Sequence, residues 1–363
     1  MTEVVYAAAH SEFPDTEPLG GGKAVADYLI REWPGQLKVL SPARFGLAGK
    51  LAEMSEWRYA RFCRQFERAT TDEILRYDSR RCVVLCNDIS EGPDFAALKN
   101  YRIVSIWHVD VVEYFVKFYL RGLVRPETAA KFFSWPGLVF QKQRDCVRYS
   151  TRIVVPSAPM KEMILRCYPS CDASKIVVLP WGDISAAHAL ATEPVGEASA
   201  SEFVIMTLSR LSPEKGIEWL LRALPFVEGE FRVWICGAAA YMKGKRYEQK
   251  LRKMADGRVE FLGHVAGAEK SARLRRADLF VSPSRHESYG LTIAEAQAAG
   301  CRVISHSHYG AAGKVVDCSD ARALARAISQ VIASGRTQRQ PGGSASAEST
   351  ASRMARICSE VAC

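Results

Sequence analysis

The chain has 363 residues, of which 48% are hydrophobic and 25% charged. This ordinary composition excludes extensive disorder and allows two domains with full cores. Its net charge of +9 favours an anionic partner: a diphosphate ligand, an acidic membrane or a nucleic acid. No apolar run approaches the roughly 20 residues of a membrane-spanning helix. The opening segment MTEVVYAAAHSEF predicts a β-strand rather than a signal peptide.

The first half of the chain contains six short apolar runs separated by helical or loop segments. They are VVYAAA, LKVL, CVVLC, RIVSIW, RIVVPS and IVVLP. Short buried strands that alternate with helices indicate a parallel sheet with crossover helices. Residues 1–182 are therefore predicted to form a Rossmann-like domain, and residues 183–202, rich in Ala, Ser and Glu, a linker.

The second half alternates more regularly. Its predicted strands are FVIMTL, FRVWIC, VEFLG, DLFVSPS and CRVIS. Helices are expected over residues 214–227, 245–255, 268–276 and 320–333, and from Leu291 onward. Residues 203–334 thus predict a second Rossmann-like domain, followed by a low-complexity tail at 335–352 and a terminal helix at 353–363. We expect an α/β fold of two such domains whose strand ends face a cleft, where open parallel sheets bind ligands.

The eleven cysteines include no Cys-x-x-Cys pair. Cys82/Cys86 and Cys167/Cys171 are spaced by four residues, but no nearby His or Cys completes a zinc-like set. We expect reduced thiols, a cytoplasmic location, no metal site and no cofactor.

The segment SRHESYGLTIAEAQAAG, residues 284–300, follows a predicted strand and opens a helix. The helix N-terminus at Gly290, Leu291 and Thr292 offers backbone N–H groups and the positive end of a dipole to a phosphate. Glu295, one turn further on, suits a pair of ribose hydroxyls, and Glu287 is placed toward whatever hangs from the phosphates. The simpler interpretation is that both glutamates are solvated surface charges.

A second segment, LSRLSPEKGIEWLLRAL at residues 208–224, also links a strand to a helix. Arg210 and Lys215 lie on its loop, where two cations beside a helix dipole would bind a diphosphate leaving group. Alone they would be ordinary surface charges, but their occurrence with Glu287 and Glu295 in one domain favours the ligand site.

These two segments resemble the family 4 retaining glycosyltransferases, which have the GT-B fold. The resemblance covers residues 203–333 with specific motifs. The first domain is similar in layout, through PLGGGKAVADYL (18–29), SIWHVD (105–110), TRIVVPSAPMKEMIL and IVVLPWGD. It implies that Arg210 and Lys215 hold the donor diphosphate, while Glu287 contacts the donor sugar and Glu295 the ribose.

The resemblance also assigns the remaining positions. Gly290, Leu291 and Thr292 match the backbone amides on the phosphate. Gly21 and Gly22 match a glycine loop that backs the diphosphate and the acceptor. His108 matches a histidine of the cleft, although a single histidine is as often a packed or surface residue.

Two departures from the family pattern are visible. Pro180-Trp181-Gly182 stands where members usually have Pro-Asn-Gly, and this alters the interdomain hinge. In HYGAAGKVVD, Lys314 falls where members often have a glutamate, and the segment after it is shortened. The second departure bears on the far contacts of the donor sugar and not on the diphosphate.

The implied reaction is metal-independent transfer of a hexose from a UDP- or GDP-linked donor to an acceptor hydroxyl, with retention of configuration. The chain has no Asp-x-Asp motif, no Gly-x-Gly-x-x-Gly and no Gly-x4-Gly-Lys-Ser/Thr, so dehydrogenase and P-loop functions lose their support. Alternatives that stay open are a soluble acceptor, a GT-B epimerase or phosphorylase, and a non-catalytic relative.

The stretch EWRYARFCRQFERAT, residues 56–70, predicts an amphipathic helix. One face gathers Tyr59, Phe62, Cys63 and Phe66. The other gathers Arg58, Arg61, Arg64 and Arg68. A second stretch at 113–126 mixes aromatics with Lys117 and Arg121. Such helices lie on anionic membranes, which predicts peripheral binding to the inner membrane face and a cell-envelope glycolipid acceptor, and no nucleic-acid partner. The alternative is that the aromatic face packs into the core.

Overall fold

We describe the protein from a computed structural model. It describes residues 3–13, 20–47, 51, 54–120, 122–132, 137–184, 202–239, 244–308, 310, 312–336 and 348–362. Most of the predicted linker and tail therefore lies outside the described residues. The chain divides into two compact units. The N-terminal unit comprises Met1–Pro14, Gly21–Trp181 and Ala347–Cys363, and the C-terminal unit comprises Asp15–Gly20 and Gly182–Ser346.

The N-terminal unit is built on a sheet of six parallel strands in the order β2-β1-β3-β4-β5-β6. The strands are β1 (Glu3–Ala7), β2 (Lys38–Leu40), β3 (Cys82–Cys86), β4 (Arg102–Ile106), β5 (Arg152–Val155) and β6 (Ile176–Val178). Each corresponds to one of the six predicted runs. The central strand β3 is buried along its whole length because helices cover both faces of a parallel sheet.

Among the described residues between β1 and residue 168 there are six α-helices. They are α1 (Gly21–Glu32), α2 (Glu56–Ile74), α3 (Val111–Phe118), α4 (Pro126–Phe132), α5 (Gly137–Tyr149) and α6 (Ala158–Cys167). Among the residues described here, no helix is long and apolar enough to cross a membrane.

Helix α2 has the two faces that the sequence predicted, but the aromatic face is part of the core. Phe62 and Phe66 are buried and their rings stack with centroids 6.0 Å apart, while Phe45 packs edge-on against Phe66. The four arginines of the opposite face are exposed. The alternative that the aromatic face packs into the core is therefore confirmed for Phe62 and Phe66, since burial in the sheet–helix core already removes them from water.

The C-terminal unit contains a second parallel sheet in the order β12-β11-β10-β7-β8-β9. Its strands are β7 (Val204–Leu208), β8 (Arg232–Cys236), β9 (Val259–Gly263), β10 (Leu279–Ser282), β11 (Arg302–Ser305) and β12 (Lys314–Val315). The first five match the predicted runs. The short edge strand β12 was not predicted, since two residues carry no periodic signal.

Five α-helices with both ends among the described residues belong to this unit. They are α7 (Ile217–Ala223), α8 (Gly244–Met254), α9 (Gly267–Arg276), α10 (Leu291–Ala298) and α11 (Ala321–Ala333). The single helix predicted over 214–227 is instead a 3-10 turn at Pro213–Lys215, then α7, then a 3-10 turn at Leu224–Phe226. Gly216 separates the first two with a left-handed φ of 60°, and Pro225 cannot donate the backbone hydrogen bond that would prolong α7.

The last helix, α12 (Thr350–Ala362), belongs to the N-terminal unit. It packs against α1, β3 and β4 through buried Met354, Ile357, Cys358 and Val361. The sequence predicted a terminal helix but not its place. Helix α12 thus lies in the same unit as β1, and the core under β3 and β4 depends on residues far away in the sequence.

We expect Met354→Ala to lower the free energy of unfolding of the N-terminal unit by about 2–5 kcal/mol, because it leaves a cavity beneath the sheet. Hydrogen exchange should speed up at amides of β3 and β4. Glu360→Ala, on the exposed face of the same helix, serves as the control and should leave both measurements unchanged. Equal exchange in the two variants would contradict the packing of α12.

Candidate functional site

The first group of candidate residues lies in the C-terminal unit, on the loops that follow β7 and β10. These strands are neighbours in the sheet, so both loops leave the same edge. Arg210 and Lys215 follow β7, and Glu287 and Gly290 follow β10. The structure thus brings together the two segments in which the sequence predicted the diphosphate site.

Lys215 and Glu287 form an ion pair across the two loops. Lys215 Nζ lies 2.5 Å from Glu287 Oε1, and Ser284 Oγ donates to the same oxygen over 2.8 Å. Burial acts to raise the pKa of Glu287, but the Lys215 ammonium, together with His308 and the Ser284 hydroxyl, holds that pKa below its ordinary value. Glu287 is therefore a carboxylate at neutral pH. Lys215, which was predicted to bind the phosphates, and Glu287, which was predicted to bind the donor sugar, are thus paired with each other.

Two further contacts hold the loops together. The Arg285 backbone N–H donates to the Glu214 carbonyl over 2.8 Å. A Cβ on Gly216 would lie 2.3 Å from the Pro283 carbonyl oxygen. Only glycine allows the backbones to come this close, and its left-handed conformation also turns the chain into α7.

Arg210 lies beside this pair of loops with about a quarter of its side chain exposed. Its Nη2 is 3.8 Å from Glu214 Oε1, beyond hydrogen-bond distance. The Ser212 hydroxyl donates to that same carboxylate oxygen over 2.5 Å. The Glu214 carboxylate is thus bound mainly by Ser212, and the guanidinium has a long-range rather than a bidentate interaction with it.

Helix α10 begins where the resemblance placed the phosphate amides. Gly290 caps it with a left-handed φ of 77°, and the N–H groups of Ile293 and Ala294 both donate to the Gly290 carbonyl. Leu291 and Thr292 come before these donors, in the first turn, where helix N–H groups precede the intrahelical bonds. The dipole and these amides favour an anion at this end of α10.

The loop after β11 packs against the same helix start. The Gly310 N–H donates to the Glu287 carbonyl over 3.0 Å. A Cβ on Gly310 would lie 2.3 Å from the Tyr289 carbonyl oxygen. Glycine at this position therefore allows the loop after β11 to pack closely against the loop after β10.

Glu295 lies in the second turn of α10 and is 3% exposed. Lys270 of α9 reaches it, with Nζ 2.8 Å from Oε1. A ribose bound here would share the carboxylate with Lys270. The sequence gave no indication of this lysine, because the segment GAEKSARLRR reads only as a charged helix.

A second ion pair, between the partly exposed Arg285 and the buried Glu218, supports the loop that carries Glu287. Arg285 Nη2 lies 2.6 Å from Glu218 Oε1, and its guanidinium lies over the Trp219 ring, 4.3 Å from the centroid. The Tyr247 hydroxyl of α8 donates to the other oxygen of Glu218. Sequence analysis missed these residues, since only the fold brings the start of α7 beside the loop after β10.

The second group of candidate residues lies in the N-terminal unit, again at the carboxyl ends of parallel strands. His108 follows β4, and its Nε2 lies 3.3 Å from Asn87 Oδ1, after β3. His10, after β1, places Nδ1 3.2 Å from Asp88 Oδ2. A Cβ on Gly22 would lie 3.3 Å from His10 Nδ1 and 3.4 Å from Asp88 Oδ2.

The structure places His108 and Gly22 close together, and beside them lie Asn87, Asp88 and His10. Gly21 and Gly22 do not form a loop: they are the first two residues of α1. Burial lowers the pKa of His108, although the Asp88 carboxylate acts in the opposite direction. Polar residues directly after the predicted strands VVYAAA and CVVLC were the signal that could have found the three additional residues.

The cluster continues from His10 toward α2. Tyr59 OH lies 3.1 Å from His10 Nε2 and donates to the Glu91 carboxylate, which also accepts from the Ser90 hydroxyl. No group of three side chains suited to a metal ion occurs among the described residues.

Lys314 and Trp181, the two departures from the family pattern, are both among the described residues, and their contacts are defined. Lys314 lies on the exposed edge strand β12, and its Nζ donates to Gln330 Oε1 over 2.5 Å. Trp181 is fully buried, and its ring centroid lies 6.1 Å from that of His108. The division into units falls directly after this tryptophan.

Comparison with known families matches residues 202–334 to the model described as glycosyl transferases group 1. A phosphatidyl-myo-inositol mannosyltransferase of Mycobacterium leprae is 36% identical over 128 residues, 32% of this chain and 33% of that protein. An alpha-monoglucosyldiacylglycerol synthase of Streptococcus pneumoniae is 32% identical over 110 residues, 30% of this chain and 25% of that protein. The matched region thus spans about a third of the first relative and a quarter of the second.

Solved structures match over nearly the whole chain. A sucrose-phosphate synthase from Thermosynechococcus elongatus superposes with a TM-score of 0.67 and 19% identity, covering 92% of this chain and 90% of that one. Anabaena HepE in complex with UDP and glucose gives a TM-score of 0.59 with 16% identity, covering 99% and 95%. At these identities the likeness concerns the fold. The chain has the GT-B fold, and its residues 202–334 match the model of the glycosyl transferases group 1, as the motifs of this segment predicted.

Proposed function

We propose that the protein is a retaining, metal-independent glycosyltransferase that moves a hexose from a UDP- or GDP-linked donor to an acceptor hydroxyl. The observation that carries the proposal is the convergence of Arg210, Lys215 and the first turn of α10 on one edge of the C-terminal sheet. The family match of residues 202–334 supports the same reading.

The cations and backbone amides at this edge would stabilise the negative charge of a departing diphosphate. Negative charge accumulates on the phosphates as the bond to the sugar breaks, and donors fixed in advance stabilise that charge. Lys215 has three N–H groups, and Glu287 accepts from one of them. The ammonium therefore has capacity for phosphate oxygens while its pair with Glu287 keeps it in place.

Retention follows if acceptor attack and diphosphate departure occur on the same face of the sugar. The bond from the anomeric carbon to the phosphate oxygen breaks, and the bond to the acceptor oxygen forms. The acceptor proton passes to the departing phosphate oxygen, so no protein base is required. Glu287, kept ionised by Lys215, would accept hydrogen bonds from hydroxyls of the donor sugar.

For the acceptor we propose a lipid-linked sugar or polyol of the cell envelope, used at the cytoplasmic face of the membrane. Two relatives are named for lipids: one for phosphatidyl-myo-inositol, which it mannosylates, and the other for monoglucosyldiacylglycerol, which it makes. Helix α2 presents a row of exposed arginines and the 85% exposed side chain of Trp57. With Phe62 and Phe66 buried, attraction to anionic headgroups would come from the arginines, and Trp57 would enter the interface. A soluble acceptor is the alternative.

We expect Arg210→Ala and Lys215→Ala each to lower turnover on the order of 10²-fold or more, because each removes a charge from the departing diphosphate. Both should also reduce the thermal stabilisation given by UDP or GDP. Sugar release from UDP-glucose and GDP-mannose provides the activity readout. Lys253→Ala, an exposed cation of the same unit, is the control. Unchanged turnover in a folded Lys215→Ala protein would refute the cation site.

Activity should survive excess chelator, since Arg210, Lys215 and the α10 amides take the part that a bridging cation plays in metal-dependent transferases. The measurement is turnover before and after treatment with EDTA, with added magnesium or manganese as the comparison. A strict requirement for either ion would rule out the mechanism as drawn.

Binding to vesicles of anionic phosphatidylglycerol should be measurable by sedimentation and should weaken with salt. Arg61→Glu/Arg64→Glu, which reverses two exposed charges of α2, should shift the protein to the supernatant. Lys245→Glu/Lys253→Glu makes the same charge change on the exposed side of α8 and is the matched control. If wild type and both variants stay equally in the supernatant, a soluble acceptor is the better answer.

A further inference from the structure

Arg285 ties the loop after β10 to residues 214–219, the segment that leads into α7. Its Nη2 lies 2.6 Å from Glu218 Oε1. Its guanidinium lies over the Trp219 ring, 4.3 Å from the centroid, and its backbone N–H donates to the Glu214 carbonyl over 2.8 Å. The loop after β10 is thus held to this segment at three points that all involve one residue.

Glu218 is fixed from a second side, independently of Arg285. Its side chain is 5% exposed, and the Tyr247 hydroxyl of α8 donates to its Oε2. The backbone N–H of Glu218 in turn donates to the Tyr247 hydroxyl oxygen over 3.4 Å. Burial raises the pKa of Tyr247, and the Glu218 carboxylate acts in the same direction, so the tyrosine stays a donor. The guanidinium therefore binds an acceptor whose place is already set by another helix.

Trp219 is also held by a neighbour. The ring of His306, which follows β11, meets it at an angle of 62° with centroids 5.0 Å apart. A guanidinium is planar, so it donates hydrogen bonds in its plane and stacks on an aromatic ring through its face. The Nε of Arg285 is buried and has no hydrogen-bond partner among the described residues. Glu218 and the Trp219 ring together therefore restrict both the position and the tilt of the guanidinium.

Arg285 stands between Ser284 and Glu287 in the chain, and these two residues meet at the Glu287 carboxylate. Ser284 Oγ donates to Glu287 Oε1 over 2.8 Å, and Lys215 Nζ lies 2.5 Å from the same oxygen. A lysine is flexible and binds as a point charge, so the ion pair by itself does not fix the backbone of the loop. The planar, directional contacts of Arg285 do, and they set where the Glu287 carboxylate meets Lys215.

We propose that Arg285 is a positioning residue, which holds the loop after β10 so that Glu287 meets Lys215 and faces the donor sugar. It acts through Glu287 and contacts neither the sugar nor the diphosphate. The part that concerns the sugar rests on the proposed glycosyl transfer, whereas the placement of Glu287 on Lys215 stands without it. Loss of Arg285 accordingly lowers turnover more than nucleotide affinity, because Arg210 and the α10 amides remain in place.

The test uses variants that separate positioning from folding. Arg285→Met alone leaves the buried Glu218 carboxylate without a cation, and we expect this uncompensated charge to lower the melting temperature. Arg285→Met/Glu218→Gln removes both charges and keeps an acceptor oxygen for Tyr247, so its melting temperature should return close to that of the wild type. Methionine fills the space over Trp219 but makes no directional contact. If the double variant does not fold, Arg285→Lys, which keeps the charge without the planar face, takes its place.

Arg258→Met is the matched control. Arg258 has the same two kinds of partner as Arg285, a carboxylate oxygen of Asp256 at 2.6 Å and the Phe231 ring at 4.7 Å from the centroid. Its side chain is 36% exposed, against 34% for Arg285. It precedes β9, at the amino ends of the strands and away from the candidate site. Its removal should leave the readouts below unchanged.

The carboxyl titration of Glu287 reads its placement without an enzyme assay. Glutamate carboxyl groups are labelled with 13C, and Glu287→Gln assigns the signal. Burial acts to raise the pKa of Glu287, yet the Lys215 ammonium holds it below its ordinary value in the wild type. In Arg285→Met/Glu218→Gln this pKa should rise, since the carboxylate leaves the lysine while burial still disfavours its charge. A wild-type titration of Glu287 in the folded double variant would overturn the proposal.

Turnover tests the connection with the sugar. For sugar release from UDP-glucose or GDP-mannose, the double variant should lower kcat on the order of tenfold, because a small displacement of a contact to the reacting sugar slows the reaction. Stabilisation by UDP or GDP should persist. Unaltered kcat with a raised pKa of Glu287 would remove the role toward the sugar. Absence of sugar release in the wild type, with the raised pKa in the double variant, would refute the glycosyltransferase and leave the positioning of Glu287 intact.

Discussion

The ion pair between Lys215 and Glu287 is the interaction on which the C-terminal site depends. It joins the loops after two neighbouring strands, and the two side chains are only 14% and 18% exposed. A buried pair of this kind offers little net stability, but removing one partner leaves an uncompensated charge. The lysine and the glutamate therefore act as a unit, and their positions are set before any ligand arrives, which is the condition for electrostatic stabilisation of a leaving group.

Charge balance is a general property of this unit. Glu295 is paired with Lys270, and Glu218 with Arg285, so the carboxylates near the strand ends have cationic partners from other helices or loops. A ligand in this site would share hydrogen-bonding groups with existing ion pairs, and it would not meet unpaired charges on these carboxylates. The charged groups of these pairs lose most of their hydration when the protein folds. Ligand binding therefore requires only displacement of the remaining water and rearrangement of hydrogen bonds.

In the N-terminal unit, the carboxyl ends of the parallel strands carry a different set of side chains from those in the C-terminal unit. At the centre of the N-terminal cluster lies the fully buried amide of Asn87, and burial lowers the pKa of the half-buried His108 beside it. Neutral donors and acceptors in fixed orientation suit hydroxyl groups, whereas the cations of the C-terminal unit suit phosphates. The separation agrees with a reaction in which one unit binds the leaving group and the other handles hydroxyls.

The sequence by itself determined the two α/β units, eleven of the twelve strands found among the described residues, and the positions of Arg210, Lys215 and Glu287 at strand ends. These follow from local signals: apolar runs of strand length, and polar residues or glycines directly after them. Tertiary structure alone decided the partners of these residues. Lys270 lies 25 residues from Glu295, and Tyr6 lies 81 residues from Asn87. It also decided that Phe66 faces the core and that α12 packs against β3. Periodicity shows that a helix has an apolar face, but the crossover topology of the sheet determines what covers that face.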